Sequence, residues 1–306
     1  MLRVSAAVVM LFGGASFALA DPMRDCTKAD NSEQKIRGCT QLIKSGKFRG
    51  HQLTLIYNVR GTLYAASGDH EKAIEDLTEA IRHNPKHNYP YHDRAVSLTN
   101  LGRIDEAITD VTTAIKLVPK NVEHHRLRGD INRRNNRLEL ALSDYNEVIT
   151  LQPNVALHYY TRGTIHSDLS EPEAALTDFS IAIQYNARNP DFYFARGLAW
   201  SHAGKCDEAI PDYSKTIELS PRFSNAYNNR GVCYTRMGLS QQAIADYEAA
   251  LKLDPRNDAA RKNLAVHSQP VPTLPPMPHI DIERFRESLK IPEFLDIEKF
   301  KIPSPK

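Results

Sequence analysis

Several signatures of chemistry are missing from this 306-residue chain. No Cys-x-x-Cys pair occurs, which removes the commonest spacing of a structural zinc site. Phosphate loop, nucleophile elbow and zinc-protease helix are all absent, so none of the frequent local motifs of phosphoryl transfer, acyl transfer or metal-assisted hydrolysis is present. An excess of one charge is missing too. Lys and Arg number 39 against 37 Asp and Glu, a net charge of +2, so no global field selects nucleic acid or a membrane surface. Glycine is modest at 14 residues and strand-like alternation is rare, which argues against a β architecture. After residue 20 no apolar run approaches the roughly 20 residues that a membrane-spanning helix needs. What remains is 41% hydrophobic and 25% charged residues, the balance of an α-rich folded chain with a charged surface.

The exception among apolar runs is the start. Residues 1–20 combine Arg3, an apolar run from Val4 to Phe17, and small residues at Ala18 and Ala20. This pattern predicts a secretory signal peptide cut after Ala20, and hence a periplasmic or secreted protein. Export bears on the four cysteines, because an oxidising compartment permits pairing. Cys26 and Cys39 lie 13 residues apart. A disulfide between them would tie the N-terminus to the first helix, and closing so short a loop contributes about 3 kcal/mol. Cys206 and Cys233 fall roughly two helical turns out of alignment and are expected to stay unpaired.

Internal repetition organises most of the chain. Counting 34 residues from Thr54 defines six units, 54–87, 88–121, 122–155, 156–189, 190–223 and 224–257, without an insertion or deletion. Position twenty of the unit is Ala in all six, and position eight is Gly in five, with Ala95 in the second. Position four is Tyr in five units, His125 being the exception, and position twenty-four is always large and apolar. Pro stands at position thirty-two in five. Apolar residues recur at three- and four-residue intervals, so each unit holds two amphipathic helices. Gly68, Gly102, Gly204 and Gly238 at position fifteen suit the turn between them. Glycine at eight facing alanine at twenty would let the two backbones approach. Pro211, five residues into a second helix, is expected to kink it.

These spacings resemble the tetratricopeptide repeat (TPR), of an exported bacterial type. The resemblance spans residues 54–257. It implies an all-α, right-handed solenoid of six helix-turn-helix repeats with a concave inner face and covered ends. A capping helix segment is expected over 21–53, carried by Asn31–Gly46 as a lone second helix without a first. A C-terminal capping helix is expected over 258–267. The tail, 268–306, is Pro-rich and expected to be disordered, with an echo between Asp281–Phe285 and Asp296–Phe300 that reads either as paired docking motifs or as chance.

One position departs from the usual family pattern, which is apolar there. Position seven is Arg in every unit: Arg60, Arg94, Arg128, Arg162, Arg196 and Arg230. Position twenty-three is Asp in every unit: Asp76, Asp110, Asp144, Asp178, Asp212 and Asp246. Matched numbers predict structural ion pairs. The caps point to pairing within units, because Gly38 and Leu264 stand where the outermost partners of an inter-unit scheme would be. The alternative is a wall of arginines gripping an acidic ligand.

The resemblance also implies a partner-binding groove along the first helices. Its positions hold Asn58, Thr62, His92, Val96, Arg126, Arg133, Arg134, Tyr160, Asp168, Phe194, Leu198, Asn228, Val232 and Arg236. Some family members grip a C-terminal carboxylate with Lys and Asn at fixed groove positions. Asn58, Thr62, His92 and Val96 occupy them here, so that clamp is absent. Arg126, Arg133 and Arg134 form either a stripe for an acidic segment or a solvated surface. His124, His125 and His158 are read as surface histidines rather than ligands. No metal, cofactor or catalytic residue is expected. The implied function is an exported, non-enzymatic scaffold for a protein or peptide partner, with no nucleic acid. An adaptor or regulatory subunit of a cell-envelope enzyme is the alternative.

Overall fold

The computed structural model describes residues 20–28 and 31–267; the signal peptide expected over 1–20, all but its last residue, and the tail expected over 268–306 lie outside the described residues. Fifteen helices and no strand occur among those described. After a short pair, α1 (Ala20–Lys28) and α2 (Ser32–Lys44), comes α3 (Gly50–Ala66). The second helices of the six units are α4 (His70–His83), α6 (Ile104–Leu117), α8 (Leu138–Leu151), α10 (Pro172–Tyr185), α12 (Cys206–Leu219) and α14 (Ser240–Leu253). The remaining first helices are α5 (Asn88–Asn100), α7 (Val122–Arg134), α9 (Ala156–Asp168), α11 (Pro190–His202) and α13 (Ser224–Arg236). Each helix packs on its neighbours in chain order, and the last, α15 (Asp258–His267), closes the series against α13 and α14. The result is an α-solenoid of stacked helix pairs.

The boundaries repeat because their causes repeat. Five first helices fill positions one to thirteen and all six second helices fill seventeen to thirty; α3 alone starts a turn early. Position fifteen takes a left-handed backbone in every unit, with φ from 75° to 86° at the four glycines, 57° at Asn136 and 62° at Ser170. Glycine adopts this region freely and asparagine tolerates it better than most residues. The turn ends each first helix with a 2.9 Å bond across it, as Asp69 N donating to Tyr64 O and Lys205 N to Trp200 O. This is the return bond of a Schellman-type stop.

Packing within a unit turns on position eight. A Cβ on Gly61 would lie 2.8 Å from Leu77 Cγ, and one on Gly231 would lie 2.7 Å from Tyr247 Cε1. The missing side chain therefore makes room chiefly for the large residue at position twenty-four of the facing helix, and less for the opposing backbone. The second unit shows the same rule inverted: Ala95 stands at eight, and the smaller Val111 faces it in one buried cluster. Ala73, Ala107, Ala141, Ala175, Ala209 and Ala243 at position twenty are fully buried.

Two details correct the sequence reading, and a third bears on Pro211. The N-terminal cap has a first helix, α1, which packs against α2 with the Cys26 and Cys39 sulfurs 2.11 Å apart, at disulfide distance. These residues join Leu42, Phe48 and Ile56 in a small core. Pro211 lies inside α12 on an exposed turn without shortening it, the helix keeping the same 14 residues as its counterparts, since only one backbone donor is lost there; the span does not bear on the expected kink. Cys206 and Cys233 are free and buried as thiols, yet they share one core cluster with Tyr213. The apparent misalignment vanishes because they sit on adjacent helices of consecutive units. Burial, with the neighbouring Cys206, pushes the Cys233 thiol up to about 12.

Gly231→Ala should destabilise the protein by about 1–3 kcal/mol through overpacking, seen as a lower melting temperature. Combined with Tyr247→Val, the loss should fall short of the sum of the single losses, reproducing the alanine–valine pairing of the second unit. Strict additivity would contradict this packing account.

Candidate functional site

The repeated arginine is held by the fold itself. Arg60 Nε and Nη2 donate to the two carboxylate oxygens of Asp76 at 2.7 Å each. The same fork joins Arg94 to Asp110, Arg128 to Asp144, Arg162 to Asp178, Arg196 to Asp212 and Arg230 to Asp246, at 2.7–3.1 Å. Each pair lies within one unit. Two parallel charge-assisted bonds fix both groups in plane, and all six aspartates are buried. The bond to aspartate holds the Arg162, Arg196 and Arg230 guanidinium groups above their usual value. In five units the guanidinium also lies 5.7–6.0 Å from the ring of the tyrosine at position four, within cation–π range.

A further contact was overlooked in the sequence. The remaining arm, Nη1, reaches the preceding unit: Arg94 to Thr78, Arg128 to Thr112, Arg162 to Asn146, Arg196 to Ser180 and Arg230 to Ser214, at 2.8–3.1 Å. Arg60 finds Thr40 of the cap at 2.8 Å. Every one of these is a hydroxyl or amide at position twenty-five or its cap equivalent. The sixth unit, which no further Arg follows, has Glu248 there. That pattern was present in the sequence, and it makes each arginine a link both within and between units.

The expected groove residues divide into two sets. Position five is a seam between units. Tyr160 packs 5.1 Å from Phe192 and 5.9 Å from Phe179, and Phe194 packs 4.8 Å from Phe223. Asn228 is buried and accepts from Asn263 at 3.0 Å. Asn58 donates to Asp93 Oδ2 at 3.1 Å, and His92 meets His124 at 3.0 Å. Arg126 instead bonds Glu123 and Asp130 on its own helix. The open positions are two, nine, twelve and thirteen. Thr62, Val96, Leu198, Val232 and Arg133 are half-buried there, while Arg134, Asp168 and Arg236 are exposed. Position two adds Tyr89, 43% exposed, and Leu157, 56% exposed; Leu157 was missed although it occupies the same position. Arg137 pairs with Asp105 at 2.8 Å, which leaves Arg133 and Arg134 as the members of the arginine-rich stretch without an ion partner among the described residues.

Ionisable groups gather between the first three units. His124 bonds Asn88 Oδ1 through Nε2 at 3.1 Å while its Nδ1 meets His92. The three histidines expected at the surface are instead buried, because each packs at the start of a first helix and bonds a neighbouring polar group: His124 as above, His125 with Pro119 O at 2.8 Å and His158 with Gln152 at 3.1 Å. No group of three or more metal-ligating side chains occurs among the described residues. Burial pushes His92 and His124 down to about 4, so both are neutral at neutral pH. Desolvation pushes the Asp93 carboxyl up to about 6.

Stacked helix pairs with a continuous first-helix face define a solenoid of the helical-repeat class. Tetratricopeptide repeat models match residues 55–87 and 224–257, and residues 92–156 and 160–222. The chain belongs to the tetratricopeptide repeat family. No curated protein matches it. Among solved structures, the C-terminal part of a TPR repeat-containing protein from Cytophaga hutchinsonii shares 18% identity at a TM-score of 0.67, covering 76% of this chain and 95% of that one. YrrB, described as a TPR protein with an unusual peptide-binding site, shares 21% at 0.54, covering 62% of this chain and 97% of its own. MamA shares 27% at 0.51, covering 54% and 96%. The first two likenesses speak to fold alone.

Arg162→Leu alone should cost about 3–5 kcal/mol, because it strands a buried carboxylate. Adding Asp178→Leu should recover much of that loss in thermal denaturation; equal losses for the single and double variants would exclude an energetic pair.

The histidines and Asp93 act oppositely with pH. Lowered histidines bind fewer protons folded than unfolded, so their contribution is lost as pH falls from 6.5 towards about 4. A raised carboxylate binds protons more readily folded, so the cost of Asp93 is relieved as pH falls through about 6. Asp93→Asn should therefore melt higher than the parent at neutral pH and lose stability more steeply on acidification. Parallel melting-temperature profiles for the two proteins would refute the assignment.

Proposed function

We propose that the protein is an exported scaffold that holds a segment of a partner protein along its first-helix face and performs no chemistry itself. The carrying observation is the division of that face. Position-five side chains are consumed in the seam, whereas Tyr89 and Leu157 stand exposed two units apart on α5 and α9. Large apolar side chains ordered on rigid helices and left in water are what an extended or helical segment would cover. Family membership supports protein or peptide binding. Export is supported by the leader pattern at residues 1–20 and by cysteines at disulfide distance on the N-terminal cap. No helix among the described residues is long and apolar enough to cross a membrane.

Purification of the full chain from the exported fraction, followed by mass spectrometry of what it retains, tests this reading. Tyr89→Glu with Leu157→Glu should abolish retention of a partner held by the parent. The melting temperature should change little, since exposed substitutions shift stability by only about 0.5 kcal/mol. An unchanged set of retained proteins, or catalytic turnover by the purified chain alone, would overturn it.

A further inference from the structure

The junction of α3 and α5 carries an unmet electrostatic demand. Asp93 lies at position six of α5, half-buried, and its one hydrogen bond among the described residues is the 3.1 Å contact from Asn58 Nδ2 to Oδ2. Among the described residues no cation lies within 4.0 Å of it, in contrast to the six aspartates at position twenty-three, each forked by arginine. Asn58 Oδ1 is shut off from solvent and has no partner among the described residues either. The junction thus holds a carboxylate with one amide donor and no counter-charge among those residues.

Neighbouring groups do not relieve it. His92 and His124 bond one another and are neutral at neutral pH. Arg126 is committed to Glu123 and Asp130. Glu123 adds negative potential on the same side, since its charge acts on His92. Tyr89 stands four residues before Asp93 on α5, exposes 43% of its surface and lies 6.1 Å from the His124 ring, a ring face near the junction on which an aliphatic stem or a cation can lie. A half-buried carboxylate without a counter-charge is less well solvated than a free one, and a bound donor cation would offset that cost through charge-assisted hydrogen bonds.

We propose that this junction is a receptor for a lysine or arginine side chain of the partner segment, with Asp93 as its anion. The inference rests on the scaffold reading and adds the chemistry of one residue in the partner. It reverses the expectation from the arginine-rich third unit, which pointed to an acidic segment.

The test uses labelled full-length protein on an immobilised positional-scanning set of short peptides. Each position is fixed in turn as Lys, Arg, ε-acetyl-lysine, norleucine or Glu. The parent should prefer Lys or Arg over acetyl-lysine at one position by about tenfold, the scale of one charge-assisted bond. Asp93→Asn should erase that preference while keeping any preference for norleucine elsewhere in the peptide. Asp93→Ser should behave alike, which guards against a folding defect peculiar to one variant. A lysine preference that survives both substitutions, or apolar selection by the parent without any cationic preference, overturns this inference and leaves the scaffold reading standing. Retention of no peptide at all counts against both.

Discussion

Each unit depends on a side chain that reaches across its helix pair to where the facing helix has none. Position twenty-four enters the space left by position eight, and alanine at position twenty completes the fit. Close-packed interiors transmit such size constraints directly, which is why the second unit can carry Ala95 only with a smaller residue, Val111, opposite it. Once that depth is set, positions seven and twenty-three face each other at one separation in every unit. The arginine forks follow from the packing and do not create it.

The same arginines then join unit to unit. Their outer arms engage a hydroxyl or amide of the preceding second helix, and the cap supplies Thr40 for the first of them. A solenoid's stability is the sum of its units and their interfaces, so a polar contact repeated at each interface selects one stacking register over its neighbours. Desolvation offsets much of the attraction in such pairs. Their contribution is therefore better understood as geometric specification than as net stabilisation, and a double-mutant cycle across one interface measures the difference.

The stack is uneven along its length. Between the fourth and fifth units the seam is aromatic, with Tyr160 on Phe192, and Phe194 packs on Phe223 at the end of its own unit. Between the first three it is polar, with Asn58 on Asp93 and His92 on His124. On the proposed reading, charge selectivity would sit in the polar junctions towards the N-terminal end, with the exposed Leu157 further along the first helices.

The architecture was legible without coordinates because its causes are local and repeated. Six copies of one spacing place two helices, a left-handed turn and a small-residue crossing in each unit, and matched arginines and aspartates imply their own pairing. The hydroxyl and amide series at position twenty-five was equally visible and went unread, since its meaning depends on a neighbour 16 residues further on. The candidate site was legible only as a list of positions. Whether a position-five residue faces a partner or the next unit depends on how one first helix leans against another, and that is set by side-chain sizes summed over four helices. The short helix before Ser32, the meeting of Cys206 with Cys233 and the solitude of Asp93 are likewise properties of what surrounds a residue, which a linear spacing rule does not contain.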